Sequence, residues 1–177
     1  MMEECRQYHV KLIVLTHAHF DHAENAAQIS NALGIPIGMS EKDCNLIQSN
    51  ANQRLSAETF FGKIVLWASL KDFSVRTMQE FKPDIFLKDG DSLSEYGVDA
   101  SIIALPGHTD GSIGIDVENE GLIVGDALMN MFYPTVSMLY HNKGEMLDSA
   151  GKISRLGNRI IYFGHGKPMP NKQWVKP

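Results

Sequence analysis

Three histidines and an aspartate lie close together where an apolar segment of the chain ends. Residues 9–16 are mostly β-branched and aliphatic with little polar alternation, which is typical of a strand buried on both faces. The strand leads directly into THAHFDH at residues 16–22. Side chains two residues apart point the same way in an extended segment, so His17, His19 and Asp21 share one side. His22 joins them if the chain turns into a helix there. Because three crowded imidazoles are costly to bury without a ligand, we predict a metal site here.

The donor types in this cluster restrict the metal. Neutral imidazole nitrogens and a carboxylate suit zinc or another borderline divalent ion. The two cysteines, Cys5 and Cys44, form no CxxC pair, so the sequence supports neither a disulfide scaffold nor a cysteine-based zinc site. A soft copper site and an iron–sulfur cluster are disfavoured for the same reason. Two reduced thiols fit a cytoplasmic protein.

Three further candidates lie where predicted strands end in loops flanked by glycine. The motifs are PGHT at 106–109, VGDA at 124–127 and FGHG at 163–166. Glycine lets the backbone turn sharply and lets an ion approach closely, and functional residues concentrate in strand-end loops. Seven ligands are too many for one tetrahedral ion and suit two ions that share a bridging carboxylate. The seven candidate metal ligands are His17, His19, Asp21, His22, His108, Asp126 and His165.

The remaining sequence predicts one domain over residues 1–177, with no linker and a strand-rich second half. Helix 23–33 is predicted to end at Gly34, and Pro168 and Pro170 indicate an irregular tail. After Pro83 the predicted elements change to short strands separated by turns. The other predicted helices are 41–48, 55–70, 75–81 and 145–156, and the other predicted strands are 35–39, 85–87, 101–105, 113–117, 122–124 and 159–163.

The motifs resemble those of the metallo-β-lactamase-fold hydrolases. HAHFDH at 17–22, PGHTDGS at 106–112, GD at 125–126 and GHG at 164–166 occur in the family's order over nearly the whole chain. The resemblance implies an α/β (α+β) fold, a four-layer αββα sandwich with the metals at one edge. It also implies the ligand sets. His17, His19 and His108 would hold the first ion, Asp21, His22 and His165 the second, and Asp126 would bridge them.

Departures from other members narrow the branch that the chain resembles. β-Lactamases of the commonest zinc type have a cysteine at the position of Asp126, and flavodiiron relatives have a glutamate at the position of His19. The bridging aspartate and the GHG motif are more similar to the glyoxalase II and lactonase branch. Lactonases commonly carry a tyrosine where this chain has Met129. Glyoxalase II adds a glutathione-binding helical domain, whereas 12 residues follow His165 here, so no glutathione site is assigned.

The segment before the first motif is short for this family. Members normally have several strands there, whereas 16 residues precede His17. We therefore expect an incomplete N-terminal sheet whose exposed edges and face are covered by a second copy, as a homodimer or by strand exchange. The alternative is a truncated product in which metal binding is weakened.

The expected activity is hydrolysis of an ester, thioester or lactone bond in a small molecule. Zinc lowers the pKa of bound water from about 15.7 to about 7, so a hydroxide shared by two zinc ions is the expected nucleophile. Iron and manganese are alternative metals. Asp21 is the predicted catalytic residue, which would orient the hydroxide and later assist the leaving group. Two alternatives remain: a mononuclear iron enzyme similar to persulfide dioxygenases, and an inactive metal-binding scaffold.

Charge and hydropathy exclude several partners. The formal charge of −5 and the absence of a basic stripe disfavour nucleic acid and an anionic membrane surface. The longest apolar runs are too short for a signal peptide or a membrane span, so we expect a cytoplasmic protein with a small-molecule substrate. Residues 45–82 and 129–143 are expected to wall the site. Their large apolar side chains fit either an apolar pocket or the core: Phe60, Phe61, Trp67, Phe73, Met129, Met131, Phe132, Tyr133 and Tyr140.

Overall fold

A computed structural model describes residues 2–75, 78–118 and 120–176, with side chains for all of these except 2 and 72–75. Its first sheet has three short parallel strands in the order β1-β2-β3. The strands are β1 (Ile13–Val14), β2 (Ile37–Met39) and β3 (Ile85–Phe86). The register pairs Ile13 with Ile37 and Gly38 with Ile85. The HAHFDH motif follows β1, so this sheet positions the first four candidate ligands.

The second sheet has five strands in the order β10-β9-β6-β5-β4. Only β6 and β9 pair in parallel among these strands of the described chain. Their carboxyl ends therefore meet at one edge, just before Asp126 and His165. The strands are β4 (Ala100–Ala104), β5 (Ile113–Val117), β6 (Gly121–Gly125), β9 (Ile160–Phe163) and β10 (Met169–Pro170), and β7 (Leu128–Met129) forms a separate hairpin with β8 (Thr135–Val136).

Helices connect and cover the sheets. The two longest are α5 (Phe60–Val75) and α6 (Lys143–Arg155). The amide of Glu145 donates to the Asn142 side chain, which caps α6. The shorter helices are α1 (Met2–Gln7), α2 (Phe20–Ala23), α3 (Ala26–Leu33) and α4 (Cys44–Gln48). None of the helices in the described ranges is long and apolar enough to cross a membrane.

Three apolar clusters define four layers. One cluster packs Ala150 and Ile153 of α6 against one face of the five-stranded sheet. A second lies between the two sheets, where Leu87 meets Ile102 and Ile115. The third packs α3 and α4 against the outer face of the first sheet. The order is helix, sheet, sheet, helix, so the predicted four-layer αββα sandwich is confirmed.

The first sheet covers only part of the second. Cross-strand partners share a face, so Ile123, which pairs with Ile115 and Tyr162, faces the first sheet's side of the sandwich. Ile115 is buried there, whereas Ile123 and Tyr162 are exposed. The three-stranded first sheet therefore leaves apolar side chains of the second sheet open to solvent, and their coverage by a second copy stays a prediction.

Several predicted boundaries are corrected. Of predicted strand 9–16 only Ile13–Val14 pairs, and predicted helix 23–33 begins at Ala26, because Ala23 is the last residue of the separate helix α2. Residues 78–81 of the predicted helix 75–81 are not helical, and residues 76 and 77 lie outside the described residues. The tail is more regular than its prolines indicated, because Met169–Pro170 forms an edge strand, where a missing amide is tolerated.

Candidate metal centre

The HAHFDH motif leaves β1 as an extended segment and then enters helix α2. His19 has an extended backbone (φ −68°, ψ 151°) and stands at the helix N-cap. Asp21 and His22 lie in the first turn of α2, which is the turn that brings His22 to the side of the other two histidines. Asn50 fixes this segment, because its side chain accepts from the amide of Phe20 at 2.7 Å and donates to the carbonyl of Ala18 at 3.1 Å.

The other three candidates come from strand ends of the second sheet. His108 follows β4, Asp126 follows β6 and His165 follows β9. The Gly164 amide donates to the Gly125 carbonyl at 2.8 Å, which holds the last two loops side by side. Gly107 has a positive φ of 127°, and a β-carbon there would collide with the backbone of Met146 on α6. A glycine is therefore required directly before His108.

The seven predicted ligands converge at one edge of the sheets. They fall into three overlapping groups whose potential ligand atoms lie within 4.8 Å of one another. The groups are His17–His19–His108, His17–His22–Asp126 and Asp21–His22–His165. His17 and His22 each belong to two groups, so the arrangement is one continuous cluster.

Four of these residues, His17, His19, His108 and Asp126, form what we call the buried group. Each is at most 5% exposed. His19 Nδ1 lies 2.9 Å from His108 Nε2, and His108 Nε2 lies 3.7 Å from Asp126 Oδ2. The Nδ1 atom of His108 lies 2.8 Å from the carbonyl oxygen of Leu139. A carbonyl only accepts, so Nδ1 carries the proton and Nε2 presents its lone pair to the centre.

Asp21, His22 and His165 form the open group. The side chain of Asp21 is 50% exposed and that of His165 is 32% exposed. His165 Nε2 lies 3.1 Å from Asp21 Oδ2 and 3.3 Å from His22 Nε2. It also lies 3.5 Å from Asp126 Oδ2, so Asp126 stands between the two groups.

The pKa values of histidines shift in opposite directions in the two groups. Burial, followed by the neighbouring imidazoles, holds the pKa values of His17 and His19 well below 6.5, which keeps both rings neutral at neutral pH. Burial alone would raise the pKa of Asp21, but the hydrogen bond with His165 and the nearness of His22 outweigh it and lower that pKa to about 2. The same hydrogen bond with Asp21 raises the pKa of His165 against the effect of burial.

The donor set fits a divalent metal. Within the described chain, two fully buried polar atoms of the buried group, His17 Nε2 and Asp126 Oδ1, have no hydrogen-bond partner. Buried polar atoms normally have a hydrogen-bond partner. A buried polar atom without one calls for an explanation, such as a bound ion. Neutral imidazoles next to carboxylates are the ligands that zinc and similar ions take. The cluster is therefore a candidate metal centre for which zinc is not distinguished from iron or manganese.

One buried residue of the centre escapes prediction from the sequence. Asp43 is fully buried between the HAHFDH segment and the loop after His108. Its Oδ2 accepts from the Ala18 amide at 3.3 Å and from the Thr109 hydroxyl at 2.7 Å. Its Oδ1 accepts from the Gly111 amide at 2.8 Å and from Gln53 at 3.1 Å. Asp43 thus links the two loops that carry His17, His19 and His108.

A cleft of about 130 Å³ opens onto the centre. Met129, at the position of the lactonase tyrosine, lines it, whereas Tyr140 is not among the described residues that line it. Most of the apolar residues predicted for pocket or core are exposed, and of these Met131 lines the cleft. Those exposed residues are Phe60, Phe61, Trp67, Met131, Phe132 and Tyr133, while the side chain of Phe73 lies outside the described residues.

Comparison with known proteins identifies the family. The sequence profile of the metallo-beta-lactamase superfamily matches residues 3–165, and the chain belongs to this superfamily. The chain is similar to the hydroxyacylglutathione hydrolase GloC of Haemophilus influenzae, at 33% identity over 122 residues, 67% of this chain and 50% of GloC. The resemblance inferred from the motifs is confirmed. The chain spans about half the length of GloC.

Solved structures show the same fold. BLEG-1, a B3 metallo-beta-lactamase, superimposes with a TM-score of 0.72 at 24% identity, covering 97% of this chain and 78% of that one. TTHA1623, solved in a di-iron-bound form, superimposes with a TM-score of 0.68 at 18% identity, covering 98% and 83% of the two chains. At these identities the likeness concerns the fold.

Proposed function

We propose that this protein is a metal-dependent hydrolase with a dinuclear centre that cleaves an ester, thioester or lactone bond of a small molecule. The observation that carries the proposal is the convergence of seven imidazole and carboxylate side chains, with His17 Nε2 and Asp126 Oδ1 buried and unsatisfied among the described residues. Two ions need more ligands than the HAHFDH motif alone offers. The loops that carry His108, Asp126 and His165 offer the rest.

Each group of side chains would hold one ion. His17, His19 and His108 would hold the first and Asp21, His22 and His165 the second, while Asp126 would contact both. When bound, the metals supply a water that ionises near neutral pH and a Lewis acid for the substrate carbonyl. Zinc is the proposed metal. The di-iron form of TTHA1623 makes iron the first alternative to test.

Asp21 is the proposed catalytic residue. Its carboxylate is half-exposed and lines the cleft, while Oδ2 accepts a hydrogen bond from His165. A carboxylate in this position accepts a hydrogen bond from the attacking water and orients it toward a substrate in the cleft. A thioester substrate agrees with the similarity of two thirds of this chain to GloC, a hydroxyacylglutathione hydrolase.

The experiment is elemental analysis of protein purified without added metal, together with ester and thioester hydrolysis assays. About two zinc ions per chain with turnover are expected. One iron per chain with oxygen consumption would replace the hydrolase by an oxygenase, and no retained metal after zinc is offered would leave an inactive scaffold. Asp126→Ala should lose one ion and most turnover, whereas Asp148→Ala, an exposed carboxylate on α6, should lose neither.

A further inference from the structure

The cleft over the metal centre has two unlike sides. Its floor consists of candidate ligands and its walls are mainly apolar. The floor residues are His19, Asp21, His108, Asp126 and His165, and the wall residues are Leu55, Val65, Ser69, Met129, Met131 and Leu139. A site of this kind orients the reacting group by its few polar residues and takes up an apolar part of the ligand against its walls.

Helix α5 forms one of these walls. Val65 and Ser69 are four residues apart on α5, so they lie on the same face of the helix and both line the cleft. Ile64, the neighbour of Val65, is exposed and does not line the cleft. Among the described side chains of α5, Val65 and Ser69 are the ones that line the cleft.

The described lining of the cleft offers no cationic side chain to an anionic substrate. Among the described residues that line it, none is lysine or arginine, and the floor carries the carboxylates of Asp21 and Asp126. Lys143 is engaged by Glu58 at 2.6 Å. Bound metal ions would offset the two carboxylates of the floor, but the walls offer no cation to a carboxylate or phosphate placed away from the reacting bond. Recognition of such groups depends on cations, so the walls favour an acyl group without charge.

Apolar surface continues outward from the cleft. Phe61 of α5 and Phe132 of the loop after β7 face each other with ring centroids 5.5 Å apart, and both rings are largely exposed. Phe60 packs edge-to-face on Phe61 at 5.8 Å. Contiguous exposed apolar surface next to a cleft is typical of a ligand-binding groove. A chain longer than the cleft would remain covered by these rings.

We propose that the substrate is an uncharged thioester or ester whose acyl group is an apolar chain, seated against Val65, Met129 and Met131 and extending toward Phe61 and Phe132. This inference rests on the proposed hydrolase function. In the reaction, the oxygen of water bonds to the acyl carbon and the carbon–sulfur bond breaks. The carboxylic acid product carries the hydroxyl group of water, and the released thiol carries the remaining proton.

The kinetic test uses N-acetylcysteamine thioesters of straight-chain acids from butanoyl to octanoyl, with S-lactoylglutathione as the anionic comparator. We expect kcat/KM of the metal-loaded protein to rise roughly threefold per added methylene, because each methylene leaves water. S-Lactoylglutathione should react more slowly than the octanoyl thioester. Val65→Asp should flatten the gradient, while the matched variant Ile64→Asp on the same helix should keep it.

A binding test separates this inference from the hydrolase proposal. Butyl to octyl thioethers of N-acetylcysteamine lack the scissile carbonyl, and calorimetry on metal-free protein should show the same gradient in Kd. Turnover without a gradient, or a preference for S-lactoylglutathione, would overturn the apolar acyl substrate and leave the hydrolase in place. A binding gradient without hydrolysis of any thioester, ester or lactone would support the apolar ligand and overturn the hydrolase.

Discussion

The buried group and the open group contribute to one centre, yet their surroundings differ in almost every respect. His17, His19 and His108 are nearly inaccessible, and their loops are held by Asp43 and the Leu139 carbonyl. Asp21 and His165 face the cleft, and their shortest contact is the one with each other, at 3.1 Å. From this comparison we predict that the buried group would bind a metal ion more tightly, whereas the open group would leave access for water and substrate.

The largest expected effect comes from removing one ligand of each group. His108→Ala should lose both ions and reduce kcat/KM on the order of 10³-fold, because the preorganised positive charge at the reacting carbonyl disappears. His165→Ala should keep the ion of the buried group and lose only the other. Elemental analysis after dialysis, alongside thioester hydrolysis, measures both effects. Equal metal loss in the two variants would contradict a hierarchy between the groups.

Removing the link behind the buried group should lower stability. Asp43→Ala leaves the Ala18 and Gly111 amides without their buried acceptor, so we expect the free energy of unfolding to fall by about 3 kcal/mol. Urea unfolding measures this change. Asp148→Ala serves as the matched control, because that carboxylate is exposed on α6. A fall equal to that of the control would show that Asp43 does not hold the loops.

The contact between the groups can be tested by a single methyl. A β-carbon on Gly164 would collide with Asp126 Oδ1 and lie 2.8 Å from His22 Cε1. Gly164→Ala should therefore displace both ligands at a cost of about 2 kcal/mol and weaken the second ion first. Gly144→Ala, whose β-carbon would be 3.5 Å from the Asn142 side chain, should be neutral. Thermal unfolding and zinc titration of the two variants provide the comparison.

The smallest effect is a pH dependence behind the buried group. Burial raises the pKa of Asp43 above its ordinary 3.8, although Thr109, Gln53 and two amides oppose the shift. A raised folded-state pKa contributes stability that is present below about pH 3.8 and is lost as pH rises through that pKa. In metal-free protein, the free energy of unfolding of the wild type relative to Asp43→Asn should thus decrease as the pH rises above about 4. A difference that grows with pH would mean that the hydrogen bonds dominate.

The candidate ligands were predictable because their chemistry shows in short motifs. Imidazoles and carboxylates at fixed spacing after a strand, or between glycines, carry a signal within a few residues. Asp43 carries no such signal. It follows Ser40, Glu41 and Lys42, where an acidic residue usually faces solvent, and its burial depends on residues 109–111. Only the tertiary arrangement distinguishes it.

The position of α5 shows a second limit. The apolar composition predicted a helix over 55–70, whereas the helix runs over Phe60–Val75. Thr59 marks its start, because the Thr59 hydroxyl accepts from the Gly62 amide at 3.0 Å, and this N-cap signal was available in the sequence. The exposure of its aromatic residues was not available, because an apolar helix is usually buried and the side chains alone do not identify a cleft.

Asp43 also bears on the order of events during folding. Its partners Ala18, Thr109 and Gly111 lie 25, 66 and 68 residues away along the chain. Contacts over such distances form only after long loops have closed, so the two histidine-bearing loops meet late. We therefore expect a metal that needs both loops to bind after the rate-limiting step of folding. In stopped-flow experiments, zinc should slow unfolding and leave the refolding rate unchanged.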